Sequence, residues 1–312
     1  KKGRIALFQQ PDRGAVVQSF RRTLESGHFA VTAELTPPRE AELESLGIAA
    51  GILKPAVTAI NLTDGAGARV RLSSLGAAIH LRRLGIEPVL QVTCRDRNRI
   101  AIQSDLLTAA AFGIESVLTL TGDGVAAGDQ PDAKPVFDLD SMGLLTLLRD
   151  MGRDPAGALA ETQPGSRFFC GTADAPQQVS DDWRPDGLLA KADAGAQFVQ
   201  SQYCFDMPLL QRYMRRLVDS GVTERLYFLV GLGPLKSAHS ARWMRDSLYG
   251  TLMPDGVIRR MEAARDPRHE GIVICAEMIQ QAREIRGVAG VHLMAPGQYR
   301  EIVEAIRLAG LI

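Results

Sequence analysis

The chain has 312 residues and is 46% hydrophobic, enough to bury one large core or two small ones. Its 36 basic residues balance 36 acidic ones, which removes any net field toward nucleic acid or an anionic membrane and leaves a small molecule as the expected partner. Cys94, Cys170, Cys204 and Cys275 are far apart with no CxxC pair, which argues against a disulfide scaffold and suits the reducing cytoplasm.

In chain order, the opening "KKGRIALFQQPDRG" contains neither a long apolar core nor a small-residue cleavage site. Residues 1–26 read as an extension or helix packing on a single domain that spans 27–312. No later segment approaches ~18 uninterrupted apolar residues, so no membrane span is expected. Short apolar runs then alternate with longer amphipathic ones. The runs are "FAVTAEL" (29–35), "AINLTD" (59–64), "EPVLQVTC" (87–94), "ESVLTLTG" (115–122), "RFFCGTA" (167–173), "FVQSQYC" (198–204), "LYFLVGLG" (226–233) and "GVHLMAP" (290–296). Their near-continuous hydrophobicity is what a parallel sheet covered on both faces requires.

Between the first runs the period becomes helical. In "RVRLSSLGAAIHLRRLG" Leu72, Leu75 and Ile79 fall on one face, and in "NRIAIQSDLLTAAAFG" Ile102, Leu106 and Ala110 do so, with Gly85 and Gly113 where helix C-caps belong. Parallel neighbours need crossover helices, and eight such units predict a closed (β/α)8 TIM barrel, with a doubly wound open sheet as the rival. The segment "GDGVAAGDQPDAKPVFDLDS" (122–141) is too long and too rich in Gly, Asp and Pro to serve only as a connection.

A barrel places chemistry at the C-terminal ends of its strands. The polar residues there are Glu34, Asp64, Thr93, Asp123, Thr172 and Gln202. Glu34 ends an apolar run and is followed by Pro37 and Pro38; a carboxyl desolvated at such a rim suits a general acid. Plainer readings stand beside these: Asp64 before Gly65 as a turn former, Asp123 as a loop or cap residue, Gln202 satisfying a strand end, Glu34 paired with Arg39 or another base at the rim. "GDGVAAG" lacks the lysine and hydroxyl of a P-loop. The five histidines show no metal spacing and read as structural or exposed, and Cys94 and Cys204 as small apolar fillers.

The segments "FAVTAELTPPRE", "NLTDGAGARVRLSSL", "VTCRDRNRIAIQSDLLTAAAFGI", "LTLTGD", "GDQPDAKPVFDLDS" and "AGAQFVQSQYCFD" together resemble the methylenetetrahydrofolate reductases, from about Gly27 to the C-terminus. The resemblance is to the branch of anaerobic C1 pathways and of homocysteine methyltransferase fusions. It implies a flavin-bearing barrel that reduces 5,10-methylenetetrahydrofolate to 5-methyltetrahydrofolate, with NADH or NADPH as electron source. On this resemblance Glu34 assists protonation of folate N10, Asp123 of the "GD" motif lies by pterin and flavin, and Gln202 and Phe205 contact the substrate. Thr63, Asp64, Gln91, Thr93, Thr121, Gly122 and Lys191 match positions around the flavin, FAD or FMN.

Three departures bear on that cofactor. Gln91 stands where the family has histidine in "H-L-T-C", Thr121 stands where it has arginine before "GD", and "GTADAP" lacks an aromatic expected after the fifth strand. Flavin is therefore expected to bind more weakly than in typical members. Three function classes follow: a competent reductase, an electron-accepting subunit active only with a redox partner protein, and a folate-binding barrel without turnover. The protein partners expected are a second copy in a homo-oligomer or a redox partner subunit.

Overall fold

The apolar runs become eight parallel strands in a computed structural model that describes residues 19–151, 168–180 and 182–312. They are β1 (Ala30–Leu35), β2 (Ala59–Leu62), β3 (Pro88–Thr93), β4 (Ser116–Leu120), β5 (Phe169–Asp174), β6 (Phe198–Tyr203), β7 (Tyr227–Leu232) and β8 (Val288–Leu293). Each pairs with its sequence neighbour, and β1 pairs with β8 through Thr32 opposite His292, so the sheet closes and the open-sheet alternative falls.

The helices are α1 (Phe20–Glu25), α2 (Glu44–Leu53), α3 (Ser74–Arg83), α4 (Arg99–Ala111), α5 (Ser141–Met151), α6 (Asp186–Ala194), α7 (Met207–Asp219), α8 (Ala238–Ser247), α9 (Asp255–Ala263), α10 (Pro267–Glu284) and α11 (Tyr299–Leu308). Among the described residues, no helix is long and apolar enough to cross a membrane.

Strand residues alternate between the helix layer outside and the barrel interior inside. The lower interior is dry: Ala30, Ala59, Val89, Leu118, Phe169, Phe198 and Leu229 pack together, and α1 closes them from below with Phe20 and Leu24. Phe20 meets Phe198 and Phe169 edge-on at 5.1 and 5.7 Å between centroids. Gly171 leaves room for this arrangement, because a Cβ there would lie 2.2 Å from the Phe198 ring. The extension expected over 1–26 lies outside the described residues up to residue 18; α1 is what is seen of it.

Two helical faces differ in detail from the sequence pattern. The Ser73 hydroxyl accepts from the Gly76 amide and fixes the start of α3, so Leu72 lies before the helix and Ala77, Ala78 and Leu81 form its buried face. Leu75 and Ile79 are only partly buried. The buried face of α3 is thus built largely of small alanines, with the larger Leu75 and Ile79 at its edges. On α4, Ile102 and Leu106 are buried as expected, but Ala109 rather than Ala110 completes the buried face. Gly85 and Gly113 follow their helices with φ of +68° and +72°, the left-handed region that glycine enters without a Cβ penalty.

Glu87, just before β3, is a strained element of this scaffold. It is 6% exposed and its one ionic partner among the described residues is Arg82, at 3.1 Å. Burial pushes its carboxyl up from 4.5 to about 7, opposed by Arg82 and reinforced by Glu115. Because the folded value lies above the unfolded one, its stabilising contribution is complete below about pH 4.5 and is lost as pH rises to about 7. Glu87→Gln is therefore expected to raise stability at pH 8 by roughly 1–3 kcal/mol and to have little effect near pH 4. Urea unfolding at both pH values checks this; equal stability of the two proteins at pH 8 would show that Arg82 offsets the burial.

Candidate active site

Above the dry layer the barrel interior turns polar. Thr32, Asn61, Gln200 and His292 are all buried and satisfy one another. The Asn61 amide donates to Gln200 Oε1 at 2.6 Å, and Gln200 Nε2 lies 3.1 Å from both Asn61 Oδ1 and Thr32 Oγ1. Thr32 Oγ1 also lies 2.9 Å from His292 Nδ1. This arrangement fixes the imidazole and directs its other nitrogen upward: His292 Nε2 lies 3.8 Å from Glu34 Oε2. Gln91 Nε2 donates to the same carboxylate oxygen at 3.1 Å.

Glu34 is 19% exposed and thus half-buried at the mouth. The Arg39 partner envisaged for it is engaged elsewhere, with Asp129. Burial, reinforced by the Glu34 charge, holds the neighbouring Tyr203 phenol well above its ordinary range, and the Tyr203 hydroxyl donates to the Met294 carbonyl at 2.6 Å.

A cavity of about 830 Å³ opens over this layer, with Gln91, Gln200 and His292 at its floor and Gln202 on its wall. That volume suits a cofactor- or drug-sized molecule. On the β5–β6 side Lys191 Nζ donates to the Ala173 carbonyl at 2.7 Å, and the Tyr213 hydroxyl donates to Asp174 Oδ2 at 2.7 Å. Asp174 also lines the cavity, and burial pushes its carboxyl up, opposed by Tyr213 and Lys191. Gln202 Oε1 accepts from the Tyr203 amide at 3.0 Å, which orients the side chain toward the cavity.

A second cavity of about 330 Å³ adjoins the first and shares Gln91 and Leu120 with it. Its lining includes Asp64, Thr93, Thr121, Gly122 and Asp123, with Arg95 in addition. Asp64 is saturated: it accepts from the Thr93 amide at 2.8 Å, the Thr93 hydroxyl at 2.9 Å, the Ser74 hydroxyl at 3.1 Å and the Arg97 guanidinium. Its role in the structure is to hold the "CRDRN" segment against β2. Asp123 is exposed and accepts from the Gly67 amide at 3.0 Å, while Asp129 accepts from the Val70 amide at 3.0 Å. The long 122–141 segment thus clasps the loop after β2. Gly122 has φ +97°, and a Cβ there would meet Thr93 at 3.1 Å and Arg95 at 3.2 Å. Thr63, on the inward phase of β2, has a buried hydroxyl with no hydrogen-bond partner.

Of the strand-end residues read from the sequence, Asp64, Thr93, Asp123 and Gln202 line the two cavities, and Glu34 reaches them through Gln91. Thr172 does not: Phe169 joins the interior cluster and Ala173 the cavity wall, so the pleat turns Thr172 the other way. Phe205 is also set apart, 2% exposed in the core and stacked on Tyr203 at 6.0 Å. Sequence reasoning passed over Asn61, Gln200, Asp174, Arg95 and the cavity role of His292. Phase could have found two of them: Gln200 is two residues before Gln202, and Asn61 two before Thr63, on the same inward faces.

The family model for methylenetetrahydrofolate reductase matches residues 19–307. A probable methylenetetrahydrofolate reductase (NADPH) of Caenorhabditis elegans is 24% identical over 251 residues, covering 78% of this chain and 35% of that protein. The 5,10-methylenetetrahydrofolate reductase of Salmonella typhimurium is 26% identical over 247 residues, covering 78% of this chain and 76% of that protein. The chain thus spans about a third of the first relative and three quarters of the second. Among solved structures, an uncharacterized Clostridium thermocellum protein that binds two copies of 5-methyl-5,6,7,8-tetrahydrofolic acid shares the fold, with a TM-score of 0.59 and 12% identity over 93% of this chain and 97% of that one.

Proposed function

The chain belongs to the methylenetetrahydrofolate reductase family, and from that premise we propose that it reduces 5,10-methylenetetrahydrofolate to 5-methyltetrahydrofolate with Glu34 as general acid. The observation that carries this reading is the placement of Glu34: a half-buried carboxyl at the barrel mouth, bonded to Gln91, backed by His292 and, unlike Asp64, not tied up by an arginine among the described residues, with Gln91 and His292 lining the ligand-sized cavity beside it. The solved structure whose own ligand is a methylated folate adds support at the level of the barrel.

Ring opening of the substrate needs a proton at N10; the C–N10 bond breaks, its electrons return to N10, and the methylene carbon becomes an N5 iminium. One hydride at that carbon completes the methyl group. Glu34 supplies the proton, Gln91 fixes the rotamer of its carboxyl, and His292 stands behind it with Nε2 3.8 Å from the same carboxylate oxygen. Gln202 and Asp123 orient the pterin through directional hydrogen bonds, which makes the reaction effectively unimolecular.

Flavin, when bound, supplies the hydride, and NADH or NADPH reduces it. The residues fit such a group: Thr93, Thr121 and Gly122 line the smaller chamber, that chamber runs into the larger one past Gln91, and Thr63, which lines neither chamber, has a buried hydroxyl without a hydrogen-bond partner among the described residues, just before Asp64 of the lining. Thr63, Gln91, Thr93, Thr121, Gly122 and Lys191 would hold it, with Asp64 positioning Thr93. Residues 27–312 are the catalytic unit in this reading. The four cysteines, buried and unpaired, accord with a cytoplasmic setting. The "CRDRN" and "QSQYCFD" blocks support a reading of the chain as a member of the anaerobic C1 and methyltransferase-fusion branch.

Gln91 and Thr121 favour one alternative, direct hydride transfer from the nicotinamide. Titration of the protein with FAD and FMN, followed by anaerobic assay of 5,10-methylenetetrahydrofolate with NADH and NADPH, separates the two. Saturable but weak flavin binding with flavin-dependent turnover is expected. Turnover without any saturable flavin signal would establish the alternative, and no folate turnover under any combination would sink both.

A further inference from the structure

Tyr249 is 94% exposed, yet it lines the larger cavity. An isolated exposed aromatic on a surface needs no explanation, but this one sits on a segment that the fold anchors. The Leu252 amide donates to the Tyr203 carbonyl at 2.9 Å, the Phe205 amide donates to the Leu252 carbonyl at 2.8 Å, and Cys204 bridges to Leu252 as a short added strand at the end of β6. Gly250, with φ +77°, turns the chain so closely over the β5–α6 loop that a Cβ would stand 2.9 Å from Ala175 Cβ.

The backbone beside the ring is therefore held at the rim, while the ring itself has no hydrogen bond or ring contact among the described residues. Pro176, Gln177 and Gln178 of the β5–α6 loop, which follow Ala175, also line the cavity. The rim thus carries an unpartnered aromatic plane together with amides and a proline. That combination recognises a flat conjugated ring with polar edges.

We propose that Tyr249 is a specificity-determining residue that stacks on the planar ring system of the ligand filling the larger cavity. This inference rests on the reductase reading for the nature of that ligand, a heteroaromatic ring that belongs either to the flavin or to the folate. A partner-docking role is less suited to it, because the ring borders a cavity and is flanked by chain fixed to the barrel.

Equilibrium titrations of the full chain and of Tyr249→Ala and Tyr249→Phe with FMN, FAD and 5-methyltetrahydrofolate test it. Tyr249→Ala is expected to weaken one class of ligand by about 3- to 10-fold, the scale of a single aromatic stack, with Tyr249→Phe restoring the affinity and the melting temperature unchanged. Loss confined to FMN and FAD identifies the flavin ring, and loss confined to the folate identifies the folate ring. Unchanged affinities in Tyr249→Ala, where the unmodified chain does bind, would overturn the inference and leave the reductase reading standing. Binding of none of the three by the unmodified chain would overturn that reading and the inference with it.

Discussion

Glu34→Gln is expected to lower reduction of 5,10-methylenetetrahydrofolate by roughly 10²- to 10⁴-fold, the usual scale for loss of a general acid. The substitution keeps the shape and a polar partner for Gln91 Nε2, which donates to the carboxylate at 3.1 Å, but it removes the transferable proton. Binding of folate should survive, as should reduction of bound flavin by its nicotinamide donor, because neither needs that proton. Rapid-mixing measurements of the two half-reactions provide the check. Equal losses in both, or intact folate turnover, would mean that Glu34 only organises the rim. His292→Ala should produce a smaller loss in the same half-reaction, since His292 Nε2 lies 3.8 Å from Glu34 and its loss also removes one of the partners of the Thr32 hydroxyl.

Phe20→Ala should cost about 3–5 kcal/mol of stability, the range for deleting a fully buried aromatic ring. Phe20 is completely buried and forms the plug of the lower barrel with Phe169 and Phe198. Those rings are themselves strand residues, so the void has nowhere to collapse without moving the sheet. Urea unfolding followed by far-ultraviolet circular dichroism measures the change. A loss under about 1 kcal/mol, well below the range for a buried ring, would show that α1 undocks separately and that the barrel closes without it. The polar layer of the site lies directly above this plug, so the two substitutions also test whether the base of the barrel supports its mouth.

The eight strands and their parallel order were legible because each is a short, nearly continuous apolar run, and because the helices between them are too long for hairpins. Helix ends were legible where glycine stood at Gly85 and Gly113, since only the local backbone was at issue. Glu34 stood out for a related reason: a lone carboxyl in an apolar run is an imbalance that a one-dimensional pattern displays. What the sequence could not display was partnership across the barrel. Gln200 meets Asn61 from 139 residues away and His292 meets Thr32 from 260 residues away, and no local pattern encodes either pair. Only closure of the sheet brings β8 beside β1 and turns His292 from one of five unremarkable histidines into the neighbour of Glu34. Phase decided the rest. The pleat sends Thr172 away from the cavity and core packing takes Phe205 out of it, while Asp64 is consumed by Ser74, Thr93 and Arg97. The chain's composition and periodicity determined a barrel and singled out the Glu34 carboxyl; the closed tertiary structure decided which side chains surround that carboxyl, because burial and hydrogen bonding are properties of contacts between distant strands.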